Sequence, residues 1–94
     1  MSATTFDDFQ REQLAAGASE VLVRDWKPDA VIDTHTHPFD ASVRVVAGEL
    51  WLTVGESTHH LAAGDTFALA AHEPHAERYG PAGATLWVGR RSVA

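Results

Sequence analysis

The chain has no cysteine among its 94 residues. That absence removes a disulfide framework, a thiolate zinc site, an iron–sulfur cluster and a cysteine nucleophile. Any bound metal must take nitrogen and oxygen ligands. No apolar run approaches the roughly 18 residues needed to cross a bilayer. The opening Met1 to Thr5 shows neither the basic nor the apolar stretch of a secretory leader. The expectation is a cytoplasmic protein without a membrane partner. Positive charge is scarce: 7 Lys and Arg against 13 Asp and Glu give a net charge of -6, and only Arg90 and Arg91 are adjacent. Nucleic acid is therefore an unsuitable partner, since no basic stripe meets its phosphates. Linkers, repeats and low-complexity tracts are missing as well, and the length suits one small domain. A domain this short buries only about two thirds of its unfolded-chain surface, so a homodimer is expected.

What is present divides into one helix and a run of strands. From Thr5 to Gly17 the apolar residues Phe6, Phe9, Leu14 and Ala15 recur at helical spacing. Thr5 suits the N-cap with Asp8 three residues on, the acids suit the positive end of the helix dipole, and Gly17 supplies a left-handed stop. From Ser19 the pattern changes to short β-branched and apolar runs, predicted as strands near 19–26, 30–37, 42–47, 49–54, 58–62, 66–70, 75–79 and 84–91. Turn residues separate them, among them Gly48 and the segment Gly80-Pro81-Ala82-Gly83. Such spacing predicts an all-β sandwich or barrel of antiparallel strands behind a short N-terminal helix, with 1–18 as the helical part and 19–94 as the barrel of one domain.

Six histidines are many for this length, and four fall in two short segments, His35-Thr36-His37 and His72-Glu73-Pro74-His75. In an extended strand, residues two apart share a face with Cα atoms roughly 6.5–7 Å from each other. Two imidazoles at that spacing can converge on one ion. The same pair can equally be surface decoration or a hydrogen-bonded couple. His59 and His60 are adjacent, must point to opposite faces, and read as non-ligands. Trp26, Trp51 and Trp87 read as core or interface packing, and Arg90 and Arg91 as a solvated strand end rather than an anion grip.

From His35 to about Gly89 the chain resembles the cupin superfamily of small β-barrels. The family's first motif sets two histidines one residue apart ahead of a glutamate and a closing glycine, matched by His35, His37 and Gly48. Its second runs from a glycine to a histidine, matched by Gly64 and His75. The resemblance implies a cupin-type jelly-roll β-barrel holding a divalent transition metal (Fe, Mn, Ni or Zn) on His35, His37 and His75. It also implies a small-molecule ligand or substrate inside the barrel. The departures are as informative. Ala41 stands where the family has its glutamate ligand, Asp29 and His72 where it has glycines, Ala70 where it has proline and Tyr79 where it has asparagine.

Strand alternation offers a replacement carboxylate: Glu77 lies two residues after His75 and Tyr79 two further on, so all three share a face. Glu77 is thus the candidate fourth ligand, and Glu77 and Tyr79 are the candidate catalytic residues able to move a proton. Asp40 is the next candidate, although turn capping or pairing with an arginine suits it better. His72 is a further nitrogen donor, or a solvent-exposed turn residue. These residues predict a metal-dependent enzyme of dioxygenase or isomerase type acting on a small oxygen-containing molecule. The competing reading is a non-enzymatic binding or sensing module.

Overall fold

The computed structural model describes residues 5–92. Residues 1–4 and 93–94, the outermost parts of the expected helical and barrel portions, lie outside the described residues. The helix, α1, spans Phe6–Ala15. Thr5 begins it in extended backbone and its hydroxyl oxygen accepts the Asp8 N–H at 3.1 Å, while Asp7 and Asp8 occupy the positive first turn. Gly17, at φ 102°, carries the chain out of it. Phe6 and Phe9 then dock α1 on the barrel, their rings 5.7 and 5.8 Å from Trp87. No helix among the described residues is long and apolar enough to cross a membrane.

Among the described residues six strands follow rather than eight: β1 (Glu20–Trp26), β2 (Val31–His35), β3 (Phe39–Val54), β4 (Ser57–Ala62), β5 (Thr66–Leu69) and β6 (His75–Ser92). The stretches expected as 42–47 and 49–54 are one strand, β3, and those expected as 75–79 and 84–91 are one strand, β6. Gly48 and the segment from Gly80 to Gly83 are therefore bends inside long strands, not turns between short ones. The physical reason is a change of phase. In β3 the residues turned inward are Ala41, Val43 and Val45, then Leu50 and Leu52. In β6 they are His75 and Tyr79, then Ala84, Leu86 and Val88. Each strand passes from odd to even positions, which the two-residue pleat allows only where a bulge inserts extra residues. The register between β3 and β6 shifts at Val45/Ala47 and again at Gly48/Leu50. Gly48 (φ 75°) and Gly83 (φ 70°) sit at that crossing. A Cβ on Gly48 would run into the Gly83 carbonyl and one on Gly83 into the Trp26 carbonyl, so both steric room and backbone conformation demand glycine.

All pairings are antiparallel. β3 and β6 run side by side from Phe39 opposite Ser92 to Val54 opposite His75, with β1 and β2 along the far edge of β6 and β4 and β5 along the far edge of β3. The protein is an all-β barrel with one short leading helix. Its core is Val43, Val45, Leu50, Leu52, Leu69, Tyr79, Leu86 and Val88 with their neighbours, and Val45 and Leu50 are wholly buried. Burial of each such aliphatic side chain contributes about 1.5–3 kcal/mol. Val43, Leu69, Leu86 and Val88 of this core also line the cavity that holds the histidines.

Candidate metal centre

His35 is the last residue of β2, and His37 lies two residues beyond it, just outside the strand that was expected to hold both. His75 opens β6 opposite both His35 and Val54. The three meet. One ligand atom from each lies within 4.8 Å of the other two, with His75 buried and the others half-buried. Metal–nitrogen bonds near 2.0–2.1 Å allow two ligand atoms on one ion to stand up to about 4 Å apart, so small ring rotations close the cluster.

The backbone fixes which nitrogen each ring presents. His35 Nδ1 lies 2.9 Å from the Asp33 carbonyl oxygen, His75 Nδ1 2.9 Å from that of Glu73, and His37 Nδ1 3.3 Å from that of Phe39. A carbonyl only accepts, so each Nδ1 carries the proton, and in the neutral ring it is Nε2 that offers the lone pair. Three neutral imidazoles with anchored Nδ1–H groups are the donor chemistry a divalent transition metal requires. Burial holds His37 below the ordinary imidazole range, and the His75 and His35 rings add to that, against the Phe39 carbonyl, which pulls the other way.

Glu77 stands beside His35. Its Oε2 is 3.9 Å from His35 Nε2, and its Oε1 accepts the Tyr79 hydroxyl at 3.0 Å. Tyr79 is fully enclosed and stacks on Trp26 at 5.0 Å. Burial first, then the Glu77 charge and its hydrogen bond, push the phenol far above its usual pKa, so Tyr79 stays protonated and holds Glu77 in place. Ala41 is buried on the wall of the same cavity, so the position of the family's glutamate is apolar here. Asp40 does not enter the cluster: its oxygens accept from the Ala71 N–H at 2.8 Å and from Arg91 at 2.9 Å. These two partners, in that order, hold its carboxyl below the usual carboxylate range. His72 is exposed in a turn at φ 66°, its N–H donating to the His37 carbonyl, which ties the turn to the metal-binding segment.

Two cavity residues differ from the sequence reading: Arg24, which it did not single out, and Arg90, which it took for a solvated strand end. A cavity of about 150 Å³ beside the histidines is lined by Arg24 and Arg90 as well as by Phe39, Val43 and Leu86. Arg90 is not a solvated strand end: its guanidinium lies 4.7 Å over the Phe39 ring and Nη1 donates to Glu20 at 2.9 Å. Arg91 alone fits that description. The signal was available in alternation, since Leu22, Arg24 and Trp26 share one face of β1 and Leu86, Val88 and Arg90 one face of β6. Of the tryptophans, Trp26 lines the cavity, Trp87 receives the helix, and Trp51 lies on the outer wall between His60 and Arg78 rather than in the core.

Residues 22–82 match the family model described as Cupin domain. The chain belongs to the cupin family. Solved structures agree on the fold. This cupin is similar to a protein of unknown function from Rhizobium leguminosarum bv. viciae 3841 over 99% of this chain and 98% of that one (17% identity, TM-score 0.75). It is similar to an RmlC-like cupin from Shewanella frigidimarina NCIMB 400 over 79% of this chain and 68% of that one (26% identity, TM-score 0.65). It also resembles Bacillus subtilis oxalate decarboxylase, studied for its Mn(II) centres, over 87% of this chain (18% identity, TM-score 0.72). The chain spans only 23% of that enzyme, and 38% and 37% of two other structures it matches. No curated protein matches it.

Proposed function

We propose that this cupin is a metal-dependent enzyme of dioxygenase or isomerase type. In this reading it holds Fe, Mn, Ni or Zn on His35, His37 and His75 and acts on a small oxygen-containing molecule within the barrel. The observation that carries the reading is the set of three Nδ1–carbonyl hydrogen bonds, which turn three Nε2 atoms toward one another beside the cavity. Surface histidines have no need of such anchoring. Glu77 completes the donor set, since 3.9 Å between its Oε2 and His35 Nε2 is a separation that two ligands of one ion can take.

A bound divalent ion supplies Lewis acidity and open coordination positions to such a site. The chain's own residues do the rest. Glu77 has its Oε1 held by Tyr79 and its Oε2 turned to the cluster; as a ligand that oxygen would face the ion, and on leaving it would accept a proton from the bound molecule and return it. Tyr79 is a positioning residue that acts through Glu77. Phe39, Val43, Leu86 and Val88 keep water from the inner wall and strengthen every charge interaction there. The small core and the open edges of β1, β2, β4 and β5, with Val31 left 65% exposed, support a homodimer; light scattering returning the mass of one chain would refute it.

Elemental analysis of untagged protein is the test of the metal. About one equivalent of a single element supports the site. Less than about a tenth of an equivalent after incubation with each of the four metals overturns it. Ligand binding without turnover in the loaded protein would instead favour a binding or sensing module.

A further inference from the structure

We infer that the molecule this cupin takes is a short-chain carboxylate, gripped by Arg90 and Arg24 while another of its oxygens faces the three histidines. The inference rests on the metal-site reading above and adds the substrate class to it.

Charge is the first ground. The chain as a whole is acidic, at -6, yet its cavity carries two guanidinium groups against Glu77 alone on the wall. Arg24 makes no ion pair among the described residues; its guanidinium carbon sits 4.9 Å from the Trp26 ring centroid. Arg90 has one carboxylate partner, Glu20, which takes Nη1 and leaves the edge formed by Nε and Nη2. Arg90 Nε is buried without any hydrogen-bond partner. A buried donor left unpaired is destabilising, and the Nε–Nη2 edge is one that a planar carboxylate meets with two parallel hydrogen bonds. The side chain keeps 29% of its exposure, so a small turn brings that edge to a ligand.

Position is the second ground. Ala41 and Arg90 are direct partners across β3 and β6, and both line the cavity. A glutamate at position 41 would neutralise that arginine and fill the space beside it. With alanine there, the carboxylate has to come from outside the chain. Phe39 links the arginine to the metal wall, its ring 4.7 Å from the Arg90 guanidinium carbon and 4.3 Å from the His37 ring centroid. A cavity of about 150 Å³ has the liquid volume of about five waters, a size that suits a short acid.

The experiment is calorimetric titration of lactate and of its neutral isostere lactamide into zinc-loaded and metal-free protein, with inorganic phosphate as a second anion. Lactate is expected to bind at least tenfold more tightly than lactamide or phosphate. Arg90→Gln should lower lactate affinity at least tenfold and Arg24→Gln severalfold, with zinc stoichiometry unchanged in both. Glu20→Gln, which frees Arg90 further, should strengthen lactate binding. Ala41→Glu should abolish lactate binding while zinc is retained, and it keeps the proposal testable if loss of the Arg90–Glu20 pair harms folding. Lactamide or phosphate binding as well as lactate, or Ala41→Glu leaving lactate affinity intact, overturns the inference. Zinc binding with no preference for the acid defeats the carboxylate and spares the metal. An Arg90-dependent preference for the acid in a protein that takes no metal does the reverse.

Discussion

The same three pairings of residue types occur twice in this molecule, once inside the barrel and once on its outer wall. Inside, His37 stacks on Phe39 at 4.3 Å, Arg90 lies 4.7 Å over that ring, and His35 is 3.9 Å from Glu77. Outside, His60 stacks on Trp51 at 4.8 Å, Arg78 lies 4.2 Å over that ring, and His60 is 2.6 Å from Glu49. By distance alone the outer set is the tighter one in two of the three. What it lacks is convergence and enclosure. His59 points away from His60, no third donor among the described residues joins them, and both are exposed. An ion pair in water contributes only about 0–1 kcal/mol, whereas the inner group has three donors aimed by backbone carbonyls inside an apolar wall. Reactivity here depends on what surrounds a contact more than on how short it is.

Substitutions on the two walls set that contrast against measurement. His75→Ala should lower zinc affinity by at least about a hundredfold, and His60→Ala should leave it alone. Equal losses in calorimetry would end the distinction between the walls. Glu77→Gln should weaken zinc by about ten- to a hundredfold with Glu49→Gln without effect; an unchanged constant for Glu77→Gln removes Glu77 from the donor set. Tyr79→Phe deletes the donor to Glu77 and should cost about 0.5–1.5 kcal/mol in urea unfolding. Thr58→Val, which breaks the exposed Thr53–Thr58 contact of 2.9 Å, should stay within about 0.5 kcal/mol. If the two costs are reversed, the inner hydroxyl is the dispensable one.

Acidity gives the smallest effect. Because His37 has a lowered pKa in the fold, the unfolded chain takes up its proton first, at about 6.5, as pH falls. Its contribution to stability is complete above that pH and is lost between there and the lower folded value. Metal-free wild type should therefore lose stability more steeply than His37→Gln on going from about pH 7.5 to 5.5. Parallel urea midpoints for the two proteins would show that His37 is not the group responsible.

Much of this was legible before any coordinates. That His35, His37 and His75 come together was readable from the two cupin motifs, with the one-residue spacing of His35 and His37 in support, and that Glu77 lies beside His35 was readable because it stands two residues from His75. The helix was legible from Thr5, its acids and Gly17, all of which act locally. The two long strands were not legible, because Gly48 and the Gly80–Gly83 segment carry turn residues, and only the partner strand shows that the backbone stays extended through them. Arg90 was hidden for a related reason. Beside Arg91 at a chain end it has the look of a solvated charge, and its inward face depends on a phase set several residues upstream at a long-range crossing.

That crossing has an evolutionary corollary. β6 delivers His75 and Glu77 to the cavity before the bend and Arg90 after it, so the number of residues from Gly80 to Gly83 decides whether the two groups look the same way. Loss or gain of one codon there would leave the histidine wall untouched and rotate everything downstream by half a pleat. Trp87 would turn towards the interior and Arg90 towards solvent. A cupin of this kind can thus exchange a cationic pocket wall for an aromatic one by a change of length, without any residue being substituted.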